Sequence, residues 1–152
     1  MESGNLWGDL EGLDLQITTP KEILEAQAKF LPKLTKDLLY AEIKELESSE
    51  LYNTFEYVLD DEEEDSDDGF AYKFLLKSRF MDTYRFELFR LHHNIGIYPV
   101  RVHLDSELKK ELYIATSFKV INNEKDFIEF LRKVLQSQRV RRVIGALMKL
   151  SK

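Results

Sequence analysis

Eight carboxylates crowd into the nine residues from Asp60 to Asp68, interrupted only by Ser66. Clustered carboxylate oxygens are what a calcium ion takes, so an EF-hand loop is the first chemistry to test. The sixth position of such a loop wants glycine; placing Gly69 there makes Glu64 first and Leu75 twelfth. The twelfth ligand must be a bidentate carboxylate, and leucine offers none. A run of like charge instead repels itself and stays solvated. The segment is therefore expected to be a flexible acidic loop over residues 60–69, from which Asp65, Asp67 and Asp68 could meet a basic protein partner.

The other groups able to do chemistry are few. His92, His93 and His103 are the three histidines. Neighbours on a strand point to opposite faces, so His92 and His93 cannot share one ion. A turn at Asn94 to Gly96 would pair His103 with residues around Phe86 to Leu88, far from His92. None of the three has an evident nucleophile to serve as general base. Glu87 sits among aromatics, where a raised pKa would suit a general acid, but a cross-strand ion pair with Arg101 is the expected arrangement. There is no cysteine, which excludes thiolate chemistry and disulfides. Gly4, Gly8 and Gly12 are followed by no Lys-Ser or Lys-Thr pair, so no phosphate loop is present. The expectation is no catalytic residue, no metal and no cofactor.

Charge is unevenly distributed. The net charge is −6, yet from Phe130 onward there is no acidic residue, while Arg132, Lys133, Arg139, Arg141, Arg142, Lys149 and Lys152 are all basic. Nucleic acid would want a strongly basic domain, and the acidic run would repel phosphate, so a basic helix face with Arg139 and Arg142 available to a protein partner is favoured. Trp7, beside Leu6 and Leu10, is either a docking anchor or a residue tucked against its own sheet. A contrasting possibility is a small-ligand or enzyme pocket between sheet and helices, lined by Tyr72, Tyr84, Arg85, Phe86 and Tyr98.

Elements must position these groups, and their periods can be followed along the chain. Three glycines among apolar residues make 1–18 an arm. Thr19-Pro20-Lys21-Glu22 supplies a hydroxyl cap, a first-turn proline and a capping-box carboxylate, so a helix starts there; Pro32 should end or kink it near Leu31. From Leu38 apolar residues alternate, predicting a strand, with Tyr52 to Leu59 as its hairpin partner. Further alternating runs start at Phe70, at Tyr84 (to about His92) and at Tyr98, and Leu112 to Phe118 is a plausible last strand after the polar stretch Asp105 to Glu111. Asn123 can cap a helix with Phe127, Phe130, Leu131 and Val134 on one face, and a final helix begins near Arg139.

Short connections between consecutive strands favour antiparallel neighbours. The expected fold is α+β: an antiparallel β-meander of about five to six strands, with an N-terminal helix and two C-terminal helices packed on one face. One domain is expected over 19–152, after the arm. The start has neither a basic stretch nor an apolar core and no apolar run nears the ~20 residues that span a bilayer, so the expected place is cytoplasmic, without a membrane partner. The expected role is a small non-enzymatic interaction or adaptor protein with a protein partner, charge shielding in the manner of an antitoxin or immunity protein being one form of it.

Overall fold

The computed structural model describes residues 3–13, 15–60 and 69–151, and of residues 56–60 the backbone alone. Helix α1 spans Pro20–Ala28. Its start is the reciprocal box: the Glu22 N–H donates to Thr19 Oγ1 at 3.2 Å, and the Thr19 N–H donates to Glu22 Oε1 at 3.2 Å. The next helix, α2, spans Phe30–Leu34, and the break between them falls at Lys29 rather than near Leu31. Pro32 accounts for that shift, because a proline ring opposes the carbonyl four residues before it, here that of Ala28.

Five strands follow in the order β1-β2-β3-β4-β5, each antiparallel to its neighbour. They are β1 (Leu39–Glu45), β2 (Phe70–Ser78), β3 (Met81–His93), β4 (Val100–Leu104) and β5 (Lys119–Ile121). Rows such as Ile43, Phe74, Phe89 and Leu104 run straight across the sheet. Between β2 and β3 the register shifts once near the middle: Phe74 faces Phe89 and Leu75 faces Glu87, leaving Leu88 as the extra residue of a bulge.

Two predicted strands are corrected. Residues Tyr52 to Leu59 belong to a helix, α3 (Ser48–Asp60), kinked at Phe55, and the partner of β1 is β2. The polar stretch after Leu104 is also helical: Asp105 Oδ1 accepts from the Leu108 N–H at 2.7 Å and starts α4 (Ser106–Glu111). Closing α4 uses Leu112 as C-cap and turns the chain at Tyr113, which has φ 58. Leu112 to Phe118 is thus the exit from a helix, and the last strand begins only at Lys119.

The principal core lies between the sheet and helices α1, α2, α5 (Glu124–Leu135) and α6 (Gln138–Leu150). Phe127, Phe130, Leu131 and Val134 of α5 and Val140 and Leu147 of α6 pack with Phe74, Leu91, Val100 and Val102 of the strands. Asn123 and Ser137 cap the two helices through the Asp126 and Val140 amides. The opposite face is covered as well. Helix α3 lies across it, with Phe55 fully buried and its ring 5.3 Å from that of Phe118 and 5.4 Å from that of His92.

An ionic cluster ties α3 down. Glu50 meets Lys73 at 2.6 Å and Arg90 at 3.5 Å, while Arg90 also reaches Thr54 at 2.8 Å and Glu87 at 3.0 Å. The Lys73 hydrogen bond, seconded by the Glu47 N–H, holds the Glu50 carboxyl below its ordinary pKa of 4.5. A carboxyl lowered in the folded state contributes its full stabilisation above the unfolded value and loses it as pH falls through the folded one. Acidification from pH 5 to pH 3 should therefore destabilise the protein, and Glu50→Gln should reduce that pH slope in thermal melts. An unchanged slope would show that Glu50 contributes nothing here.

Candidate protein-docking site

Among the described residues, 3–13 and 15–18 form an arm without helix or strand before α1. Its turns are local: Asn5 Oδ1 accepts from the Trp7 N–H at 2.9 Å, Asn5 Nδ2 donates to the Gly8 carbonyl at 3.1 Å, and Asp9 Oδ1 accepts from the Glu11 N–H at 2.9 Å. None of these bonds reaches the body of the protein. Leu6, Trp7, Leu10, Leu13, Leu15 and Ile17 are between 52% and 85% exposed. The arm thus carries six large apolar side chains in water. Isolated exposed apolar residues are ordinary on a protein surface, but a contiguous series is the signature of an interface.

Where the arm joins α1, a groove of about 700 Å³ opens between the α1–α2 pair and the α5–α6 pair. Ile23, Ala26, Leu34, Ile128, Leu135 and Ile144 give it an apolar floor. Its charges are Glu22 and Glu124, at the starts of α1 and α5, and Arg132 and Arg141 farther along. A second hollow of about 140 Å³ shares Gln27, Leu34, Leu135 and Ile144 with the groove and descends to Phe74 and Leu76 of the sheet. Phe30 and Leu34 stand at its lip, 53% and 76% exposed. The groove exists because Pro32 tilts a second short helix away from α1 while α5 carries an apolar face wider than the sheet can cover.

The residues singled out from sequence have separate places. Trp7 is on the arm, 82% exposed. Asp65, Asp67 and Asp68 lie outside the described residues, and Asp60 is the last residue of α3. Arg139 is engaged within the fold: it pairs with Asp105 at 3.2 Å and Glu107 at 3.0 Å and lies 5.2 Å over the Phe86 ring, pinning α4 to α6. Arg142 is exposed three residues on. Of the five pocket candidates, Tyr72 is buried and Phe86 and Tyr98 half-buried, whereas Tyr84 is exposed and Arg85 stands opposite Lys77. Tyr72 and Phe86 are on the face of the principal core and Arg85 on the other, so the sheet separates them. Burial pushes the Tyr98 phenol up to about 12, with the Glu124 charge adding to it.

Two expected pairings are also replaced. Glu87 bonds Arg90 at 3.0 Å, while Arg101 lies opposite His92. His103 lies opposite Arg90 rather than Phe86 to Leu88, because the connection between β3 and β4 runs through residues 94–99 rather than ending at Gly96. Burial, followed by the Arg90 charge, lowers the pKa of His103. His92 and His93 do face opposite ways, His92 toward Phe55 and His93 toward Phe70 and Tyr72. Among the described residues no group of three or more histidine and acidic side chains is placed to hold a metal ion. Among them, too, no helix is long and apolar enough to cross a membrane.

From sequence Trp7 reads equally as a docking anchor or as a residue tucked against its own sheet, and the groove was not legible. Its signal was present in Ile128, an apolar residue flanking the Phe127–Leu131 stripe, and in Leu34 beyond the helix-breaking proline. No protein-family model matches the chain, and no curated protein and no solved structure matches it either.

Proposed function

We propose that this protein is a non-enzymatic interaction module whose docking element is the N-terminal arm. The observation that supports it most is the row of six exposed apolar side chains anchored to the fold through a single helix start. Fully burying a Leu, Ile or similar side chain is worth about 1.5–3 kcal/mol, and a tryptophan amid such residues is a frequent interface hot spot. An arm that leaves 52–85% of each of these side chains exposed in its own fold can gain that burial on another surface.

Because the arm's large apolar side chains are 52–85% exposed, its removal should leave the fold intact. Deleting residues 1–17, or making Trp7→Ala, is expected to leave the melting temperature at low protein concentration, where self-association does not contribute, within about a degree or two of the parent while abolishing cross-linked capture of the protein's partner. Neutralising residues 60–68 separates this reading from charge shielding of a basic target: the arm reading expects capture to persist. Capture that survives loss of the arm would refute it.

A further inference from the structure

We propose that the groove between α1–α2 and α5–α6 receives the arm of a second copy of this chain, so that two copies exchange arms reciprocally. The inference rests on the arm being the docking element and assigns its receptor. Four observations point to this occupant.

The first is chemistry. Residues 3–17 carry Asp9, Glu11 and Asp14 and no lysine or arginine. The groove offers an apolar floor with Arg132 and Arg141 toward one end. Of its two acids, Glu22 is already bonded to the Thr19 N–H and hydroxyl, and of its two cations Arg132 is already paired with Glu129.

The second is register. Glu124 and Arg132 are eight positions apart on α5, about 12 Å at 1.5 Å per residue. Leu15 and Glu11 are four positions apart, about 13 Å once the Leu10–Leu13 turn, closed by the Leu13 N–H on the Leu10 carbonyl at 3.4 Å, opens into an extended chain at ~3.3 Å per residue. An arm whose uncharged Leu15-Gln16-Ile17 passes the acidic end therefore delivers Glu11 to the basic end.

The third is connectivity. Among the described residues Thr18 is the arm residue that lines the groove, and Thr19 leaves the helix extended at φ −77 and ψ 157, held by both halves of its box. The arm starts at the lip of its own groove and leaves that groove open. Donor and receptor sit side by side on one chain, so an exchange between two copies closes on itself as a two-fold dimer rather than growing into a fibre.

The fourth is size. Reciprocity brings six large apolar side chains from each copy, which puts the roughly 1,600 Å² of a standard stable interface within reach.

The test uses the full chain. Sedimentation across low to high micromolar concentration should show a dimer, and emission from Trp7, the sole tryptophan, should move to shorter wavelength as the dimer forms. Leu34→Lys with Ile128→Lys alters side chains already exposed, so the fold should persist while dimerisation weakens by tenfold or more. Deleting residues 1–17 should do the same. Mixing the armless protein with the doubly substituted one should restore a heterodimer through one arm and one groove. A monomer with solvent-like Trp7 emission, a monomer whose emission is already shifted at every concentration, or a dimer that survives loss of the arm would each overturn the exchange. The first of these leaves the arm free for a different protein, so the proposed function stands or falls separately, on whether partner capture needs the arm.

Discussion

Phe55→Ala should destabilise the protein by about 3–5 kcal/mol, the usual cost of removing a fully buried phenylalanine ring. For a domain of this size that corresponds to a fall in melting temperature of roughly 6–20 °C. Phe55 has no exposed surface, and its ring is sandwiched between Phe118 of the β5 approach and His92 of β3. It is the one fully buried phenylalanine of α3, so truncation opens a cavity under the helix and leaves the imidazole of His92 without its aromatic cover. The ionic cluster at Glu50 would remain, but it cannot refill the space left by the ring. Phe55→Leu should recover much of the loss. Urea and thermal melts of the two variants decide the matter: a cost below about 1 kcal/mol for the alanine variant would mean that α3 does not depend on this ring.

The second large effect is expected at Gly69, where the backbone has φ +77. A side chain in that conformation costs about 1–2 kcal/mol on its own. Here the added Cβ would also stand 2.6 Å from the His93 carbonyl oxygen and 2.8 Å from His92 Nε2. The first of those neighbours is backbone at the end of β3 and cannot swing aside, so β2 and β3 must part near Phe70 and His93. Gly69→Ala should cost about 2–5 kcal/mol, combining backbone strain with overpacking. Amide hydrogen exchange should localise the damage to the Phe70–His93 end of the sheet while the Ser78–Met81 end stays protected. A near-neutral alanine variant would show that this glycine is dispensable.

Much of the architecture was readable because several local signals agreed. Thr19, Pro20 and Glu22 marked α1 by chemistry, and the alternation in Phe70 to Leu76 and Val100 to Leu104 marked β2 and β4 by period. Helix α3 was misassigned because Tyr52, Phe55, Tyr57 and Val58 are all residues that strands favour. Its opposing signal was present: Leu51, Phe55, Val58 and Leu59 follow helical spacing, and Glu50 bonds back to the Glu47 N–H at 3.1 Å as half of a capping box. Tertiary context decided the contest, since only a helix presents Phe55 to the pair His92 and Phe118. The β-branched and aromatic residues of Leu112 to Phe118 misled in the same way. The groove was harder to foresee, because it is a property of two helix pairs and belongs to no single segment.

Every strand neighbours its predecessor in the chain, but the connections differ greatly in length. Only Arg79 and Phe80 join β2 to β3, whereas residues 46–69 intervene between β1 and β2. Drawing the ends of the longer span together costs about 2 kcal/mol more in loop-closure entropy, since that cost rises with the logarithm of length. Seating α3 on the exposed side of the β2–β3 hairpin divides the long closure into two shorter ones, so Phe55 assists β1 in finding its place although the two lie in different layers.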